Sequence, residues 1–163
     1  MNVVTHALAV AAILGSAIIA GVFFAFSSFV MKALAKLPSP EGIAAMQSIN
    51  VVVLNRSFLG VFMGTTVISV LVAALAVKGW TTPSTPFFLA GALSYLVGTF
   101  LVTGLGNVPL NNQLAAVSAA DPDAVPVWEH YLDRWTSLNT IRTGSAAAAV
   151  LLFTVGLLQN SSG

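Results

Sequence analysis

The chain has 163 residues, 57% of them hydrophobic and only 7% charged, where a soluble domain carries about 25% charged residues. So much apolar surface cannot be hidden in a core of this size, and lipid is the solvent that accepts the excess. A net charge of +1 with no basic patch excludes nucleic acid as a partner, and the absence of cysteine excludes disulfides, thiolate catalysis and cysteine-ligated metals.

A membrane-crossing helix needs about 20 apolar residues, and its backbone groups must pair within the segment. The first expected span lies within residues 3–31, a stretch with no Lys, Arg, Asp or Glu. Its apolar run is too long, and its start too uncharged, for a cleaved leader. Pro38 and Pro40 then break the chain. Ser39 or Pro40 opens a helix with Glu41 in its first turn, and this helix is expected to continue through Asn50 into a second span at 57–77. A short turn from Lys78 to Pro86 leads to a third span at 87–106. Beyond it come a helical stretch started by Pro109, an Asp121-Pro-Asp123 turn, and a helix from about Pro126 that feeds a fourth span at 140–158. The expected fold is all-α: one integral membrane domain over 1–163, a four-transmembrane-helix bundle with helical extensions on the cytoplasmic side.

Both long connections fall on one membrane side, which carries Lys32, Lys36, Arg56, Arg134 and Arg142, against Lys78 alone on the other. The positive-inside rule puts that side in the cytoplasm and both termini outside; the expected location is a bacterial inner membrane. Small residues at four-residue spacing (Ala17, Gly21 and Ala25; Gly60 and Gly64) predict close helix packing, and a homo-oligomer is compatible with them.

Polar residues gather at the same rim. Gln47, Asn50 and Asn55 precede the second span. Asn107, Asn111 and Asn112 follow the third. His130, Asn139 and Arg142 precede the fourth. Six asparagines on one face of so small a protein exceed what helix capping needs. Trp128, Leu132, Trp135, Asn139 and Arg142 recur at a 4-3-4-3 spacing, which makes one helical stripe. Two readings stand for the tryptophans: walls of a pocket for a flat aromatic molecule, or anchors at the membrane interface. Two stand for Arg142 as well. Only sixteen uncharged residues separate it from Gln159, about 24 Å of helix. It therefore sits at or inside the hydrocarbon boundary, where it either snorkels to headgroups or faces the bundle and binds an anion. His130 is suited to move a proton near neutral pH, or is a solvated surface histidine. With no cysteine and one histidine at each end, no metal site is expected, and no cofactor is assigned.

Several of these residues stand in a familiar order. Gly21-Val-Phe-Phe-Ala-Phe-Ser-Ser-Phe-Val-Met31 is followed by Gly42-Ile-Ala-Ala-Met-Gln-Ser-Ile-Asn50 and Asn55, by Asn107-Val-Pro-Leu-Asn-Asn112, and by Trp135-Thr-Ser-Leu-Asn-Thr-Ile-Arg142. Together they resemble the anthrone oxygenase family of small four-helix membrane proteins. The resemblance implies a membrane-bound oxygenase acting on an anthrone-like substrate without a cofactor. The positions matching the family pattern are Asn50, Asn55, Asn107, Asn111, Asn112, Trp135, Asn139 and Arg142. In the mechanism this suggests, His130 removes a proton from the activated methylene, Arg142 and Asn139 stabilise the oxyanion, Trp135 and Trp128 stack on the rings, and dioxygen oxidises the carbanion. The competing class is a non-enzymatic membrane protein, either a partner-binding subunit with a filled polar face or a small-molecule carrier with polar groups at mid-depth.

Overall fold

The local rules that open and close each helix decide where the chain turns. In the computed structural model, which describes residues 3–78 and 82–161, these rules yield helices and no strand. Helix α1 (Val3–Leu34) is long and apolar, with one π-helical turn at Phe26–Val30. Pro38 then fixes an extended residue ahead of α2 (Ser39–Val52), and Pro38 O accepts the amides of Glu41 and Gly42. The helix does not run on into the next span as expected. It stops at Val52, and Asn55 restarts the chain by accepting the Phe58 amide at 2.9 Å, so its side chain caps α3 (Arg56–Lys78). Of the turn that follows, residues 79–81 lie outside the described residues. Helix α4 (Thr85–Ala115) contains π-helical turns over Ser94–Leu101 and Thr103–Asn107. Asp121 Oδ1 accepts the Asp123 amide at 2.9 Å and its carbonyl accepts the Ala124 amide, which starts α5 (Ala124–Ser161).

Four of these helices, α1, α3, α4 and α5, are long and apolar enough to cross a membrane. Each packs on two others: α1 on α3 and α5, α4 on α3 and α5. Leucine and valine side chains such as Leu14, Val67, Leu93 and Leu151 point outward, as lipid-facing residues must. The chain is thus an integral membrane four-helix bundle, with α2 packed at the end where α1 finishes and α5 begins.

The glycines that let helices approach are not the ones the four-residue spacing picks out. A methyl group at Gly98 would overlap Ser145, and one at Gly15 would overlap Thr65. Gly21, Gly60 and Gly64 have nothing within 4 Å of such a group, so a side chain there would point into open space. Spacing marks a face as smooth; it does not say which face meets a neighbour.

Two apolar clusters fill the molecule. One runs through the spans and includes Ile19, Phe23, Phe62, Val72, Tyr95 and Phe153. The other, at the α2 end, includes Met31, Ile43, Met46, Leu114, Trp128, Tyr131 and Trp135. The polar rim lies where they meet.

Candidate functional site

Arg142 is the centre of the rim. Its side chain is 4% exposed, so it does not snorkel. The guanidinium lies over the Phe23 ring at 4.1 Å and the Trp135 ring at 5.1 Å, an arrangement that suits its flat cation. One terminal nitrogen donates to Thr103 Oγ1 at 3.2 Å and the other to Asn139 Oδ1 at 2.7 Å. Its Nε is buried without a partner. All five acidic residues (Glu41, Asp121, Asp123, Glu129 and Asp133) are exposed, so among the described residues Arg142 has no carboxylate counter-charge. A buried cation carries a desolvation penalty of several kcal/mol, and here the protein offsets it with neutral groups only.

Asn139 is fully buried and sits behind the arginine. Its amide nitrogen donates to Phe23 O and Ser27 Oγ, both at 2.7 Å. Arginine is purely a donor, so the amide oxygen must be the atom that faces it. Phe23 O lies just before the π-helical turn of α1, where the regular carbonyl pairing loosens. The side chains of α4 grip α5 in the same way. Ser94 donates to Ser145 O at 2.8 Å, Thr99 to Arg142 O at 3.3 Å, and Asn107 to Trp135 O at 3.1 Å. Asn107 is therefore a brace between two helices.

A second network stands beside the first. Trp128, Tyr131 and Trp135 stack in series, with centroid spacings of 5.8 and 5.9 Å. Asn111 Oδ1 accepts from both Tyr131 Oη and Trp135 Nε1 at 2.8 Å, and Asn50 Nδ2 donates to Tyr131 Oη at 3.2 Å. The indole is a donor, which turns the Asn111 amide hydrogens the other way. Gln47 donates to Leu114 O and Val117 O at 2.8 and 3.0 Å, tying α2 to the end of α4. Gly42 permits this seating, since a Cβ there would meet the Trp128 ring at 2.9 Å.

Between these networks lies a cavity of about 210 Å³. Its polar groups are Arg142, Thr103, Asn50 and Asn111. Its rings are Phe23, Phe26, Phe58, Phe62 and Trp135, and Val22, Met46, Ile49, Val53, Leu54, Leu59, Met63 and Val108 make up the rest of the lining. Mostly apolar walls with a few convergent polar groups are the usual form of a small-molecule site.

The expected site residues thus divide. Asn50, Asn111, Trp135 and Arg142 line the cavity, while Asn139 and Asn107 stand behind its wall. Trp128 is buried in the ring stack and touches neither the cavity nor the outer surface. Asn55 caps α3 from an exposed position, and Asn112 and His130 are exposed and outside the cavity lining. Sequence reasoning missed Tyr131, although it lies on the Trp128–Trp135 stripe. It also missed Thr103, four residues before Asn107 on the face that carries Asn111. The phenylalanines of α3 gave no signal, because they are ordinary in an apolar helix, and those of α1 stood within the Gly21–Met31 motif with no role assigned to them. Among the described residues no three His, Asp or Glu side chains converge as metal ligands.

Fold and site together define a membrane-embedded four-helix bundle with a buried arginine at the wall of an apolar cavity. A protein-family model described as Anthrone oxygenase matches residues 50–152, which is more than half of the sequence, and the chain belongs to that family. The matched stretch carries every rim asparagine, Trp135 and Arg142, while Phe23, Phe26 and Ser27 precede it. No curated protein and no solved structure matches the chain.

Proposed function

We propose that the cavity binds a flat polycyclic aromatic of the anthrone kind and that the protein promotes its oxidation by dioxygen to the quinone. The observation that carries this reading is a buried arginine with no carboxylate partner among the described residues, set in a cavity walled by aromatic rings. An anthrone carries a carbonyl opposite an acidic methylene. Loss of a methylene proton puts negative charge on that carbonyl oxygen, which in this reading Arg142 stabilises in a water-poor site. Trp135 and the phenylalanines hold the ring plane. Asn139 contributes through Arg142, as a positioning residue.

The chemistry balances with dioxygen as the oxidant. The anion gives one electron to dioxygen, and the resulting radical and superoxide join to form a C–O bond at the former methylene. The peroxide takes up a proton. Loss of the second methylene proton then breaks the O–O bond and leaves a carbonyl and water. Among the described residues no imidazole or carboxylate lines the cavity; in this reading the first proton passes to water at the rim, and the anion is favoured by Arg142 rather than by an adjacent base. The exposed lysines Lys32 and Lys36 and the arginines Arg56 and Arg134 all lie at the α2 end, which supports an inner-membrane orientation with that end cytoplasmic and both termini outside.

The test is purified protein in lipid nanodiscs with emodin anthrone in air, followed by quinone absorbance. Quinone is expected to form faster than in empty nanodiscs, and Arg142→Gln to lower the rate roughly 10²–10³-fold. Formation at the empty-nanodisc rate overturns the reading.

A further inference from the structure

The route to the cavity is written in how α3 and α4 meet. These helices pack together along the first part of α4, through Leu101, and part beyond it, toward Asn107 and Ala115. The cavity lies beside that parting. On the α3 side stand Leu59 and Met63, four residues apart on one face, 37% and 46% exposed. Met63 lies seven residues along α3 from Arg56, about 10 Å, a depth that belongs to hydrocarbon rather than to water. The water side is narrowed, and only Val53 and the exposed Leu54 of the α2–α3 connection reach the cavity from it. Helix α2 covers the rim with buried Ile43 and Met46, Gln47 fastens it to α4, and the Trp128–Tyr131–Trp135 stack fills the space beneath.

We infer that the ligand enters from the bilayer, sideways between α3 and α4, with Leu59 and Met63 as the gate. The ligand class follows from the two ends of this path. It must partition into lipid to reach the gap. It must also present an acidic oxygen to Arg142 and a hydrogen-bond acceptor to the Asn111 amide. A lipophilic, planar phenol or enol meets both conditions; a water-soluble anion meets only the second. This inference rests on the ligand reading proposed above.

A gate and a wall differ in kinetics. Narrowing a gate slows entry and exit alike and leaves affinity in place; altering a wall changes affinity. The experiment follows emodin binding to the protein in nanodiscs by stopped-flow absorbance, with Arg142→Gln identifying the signal from the cavity. Met63→Trp and Leu59→Trp are expected to slow association and dissociation together by about tenfold, within the span that association rates cover among variants of one site. Met63→Ala is expected to speed both, and Leu151→Trp, on the lipid face of α5, to leave both unchanged. If emodin binds in an Arg142-dependent way but Met63→Trp and Leu59→Trp leave both rates as they were, the gate is refuted and the proposed function stands. A change in affinity without parallel rate changes refutes it too. If emodin does not bind at all, the proposed function fails and the gate falls with it.

Discussion

Asn139 Oδ1 lies 2.7 Å from Arg142 Nη2, one turn away on the same helix, and the nitrogen of that amide is held by Phe23 O and Ser27 Oγ on α1. The arginine is therefore aimed by a residue that is itself fixed across the bundle. Hydrogen bonds to charged groups contribute about 1.5–3 kcal/mol each. Asn139→Ala removes the bond to Arg142 and leaves Phe23 O without its side-chain donor. The expected result is a less stable protein by roughly that amount, seen in thermal unfolding in detergent, together with slower quinone formation. Asn139→Asp tests the anion site. Its carboxylate gives Arg142 the counter-charge it lacks but sets an oxygen against Phe23 O where the amide nitrogen donated, so heat stability falls here too, while emodin affinity drops by about tenfold or more, a difference of about 1.4 kcal/mol. Unchanged affinity in Asn139→Asp counts against an anion site at Arg142.

Lysine is not expected to replace Arg142. The guanidinium lies over two rings and bonds Thr103 and Asn139 with two separate nitrogens. An ammonium is a compact, strongly hydrated charge that cannot make the same planar contacts. Arg142→Lys should therefore resemble Arg142→Gln in quinone formation more than it resembles the parent. A rate within about threefold of the parent would show that charge alone suffices at this position.

How much of this was legible in the sequence differs from residue to residue. The four-helix membrane bundle followed from hydropathy and length, and the family from the order of the rim motifs. The stripe from Trp128 to Arg142 was readable because a helix repeats every 3.6 residues, and its inward face proved to be the buried one. The exact partners were not readable. Which of six asparagines caps, braces or lines the cavity depends on the rotation of each helix, and the π-helical turns in α1 and α4 shift that rotation part-way along. Asn55 and Asn111 look alike in sequence, yet one satisfies a helix start and the other holds a tyrosine and a tryptophan. The expected continuity of α2 into α3 failed for the same local reason: an asparagine able to cap a new helix ends the old one.

His130 supplies a direct comparison between the sequence-derived mechanism and the geometry. It is exposed and outside the cavity lining, while a general base must reach its proton within about 3 Å or through one water. His130→Ala is expected to leave the rate of quinone formation within about twofold, against the 10²–10⁴-fold a positioned base contributes. A loss of 10²-fold or more would return the proton-transfer role to His130 and require α5 to bring it to the substrate.

The last prediction concerns what holds α4 against α5. Gly98 faces Ser145 so closely that any Cβ there overlaps its side chain. Just below, Thr99 donates to Arg142 O, and Thr103 accepts from the guanidinium. The close approach at Gly98 thus sets the distance at which these side chains meet Arg142. Gly98→Ala should cost about 1–3 kcal/mol through overpacking and should also lower emodin affinity, because the helices must part beside the site. Gly60→Ala, on a face with nothing within 4 Å, should do neither and should slightly favour the helix. The pair is read by thermal unfolding and emodin titration of the same preparations. If Gly98→Ala loses stability but keeps full affinity, the helix contact and the arginine site are independent, and Thr99 and Thr103 serve packing alone.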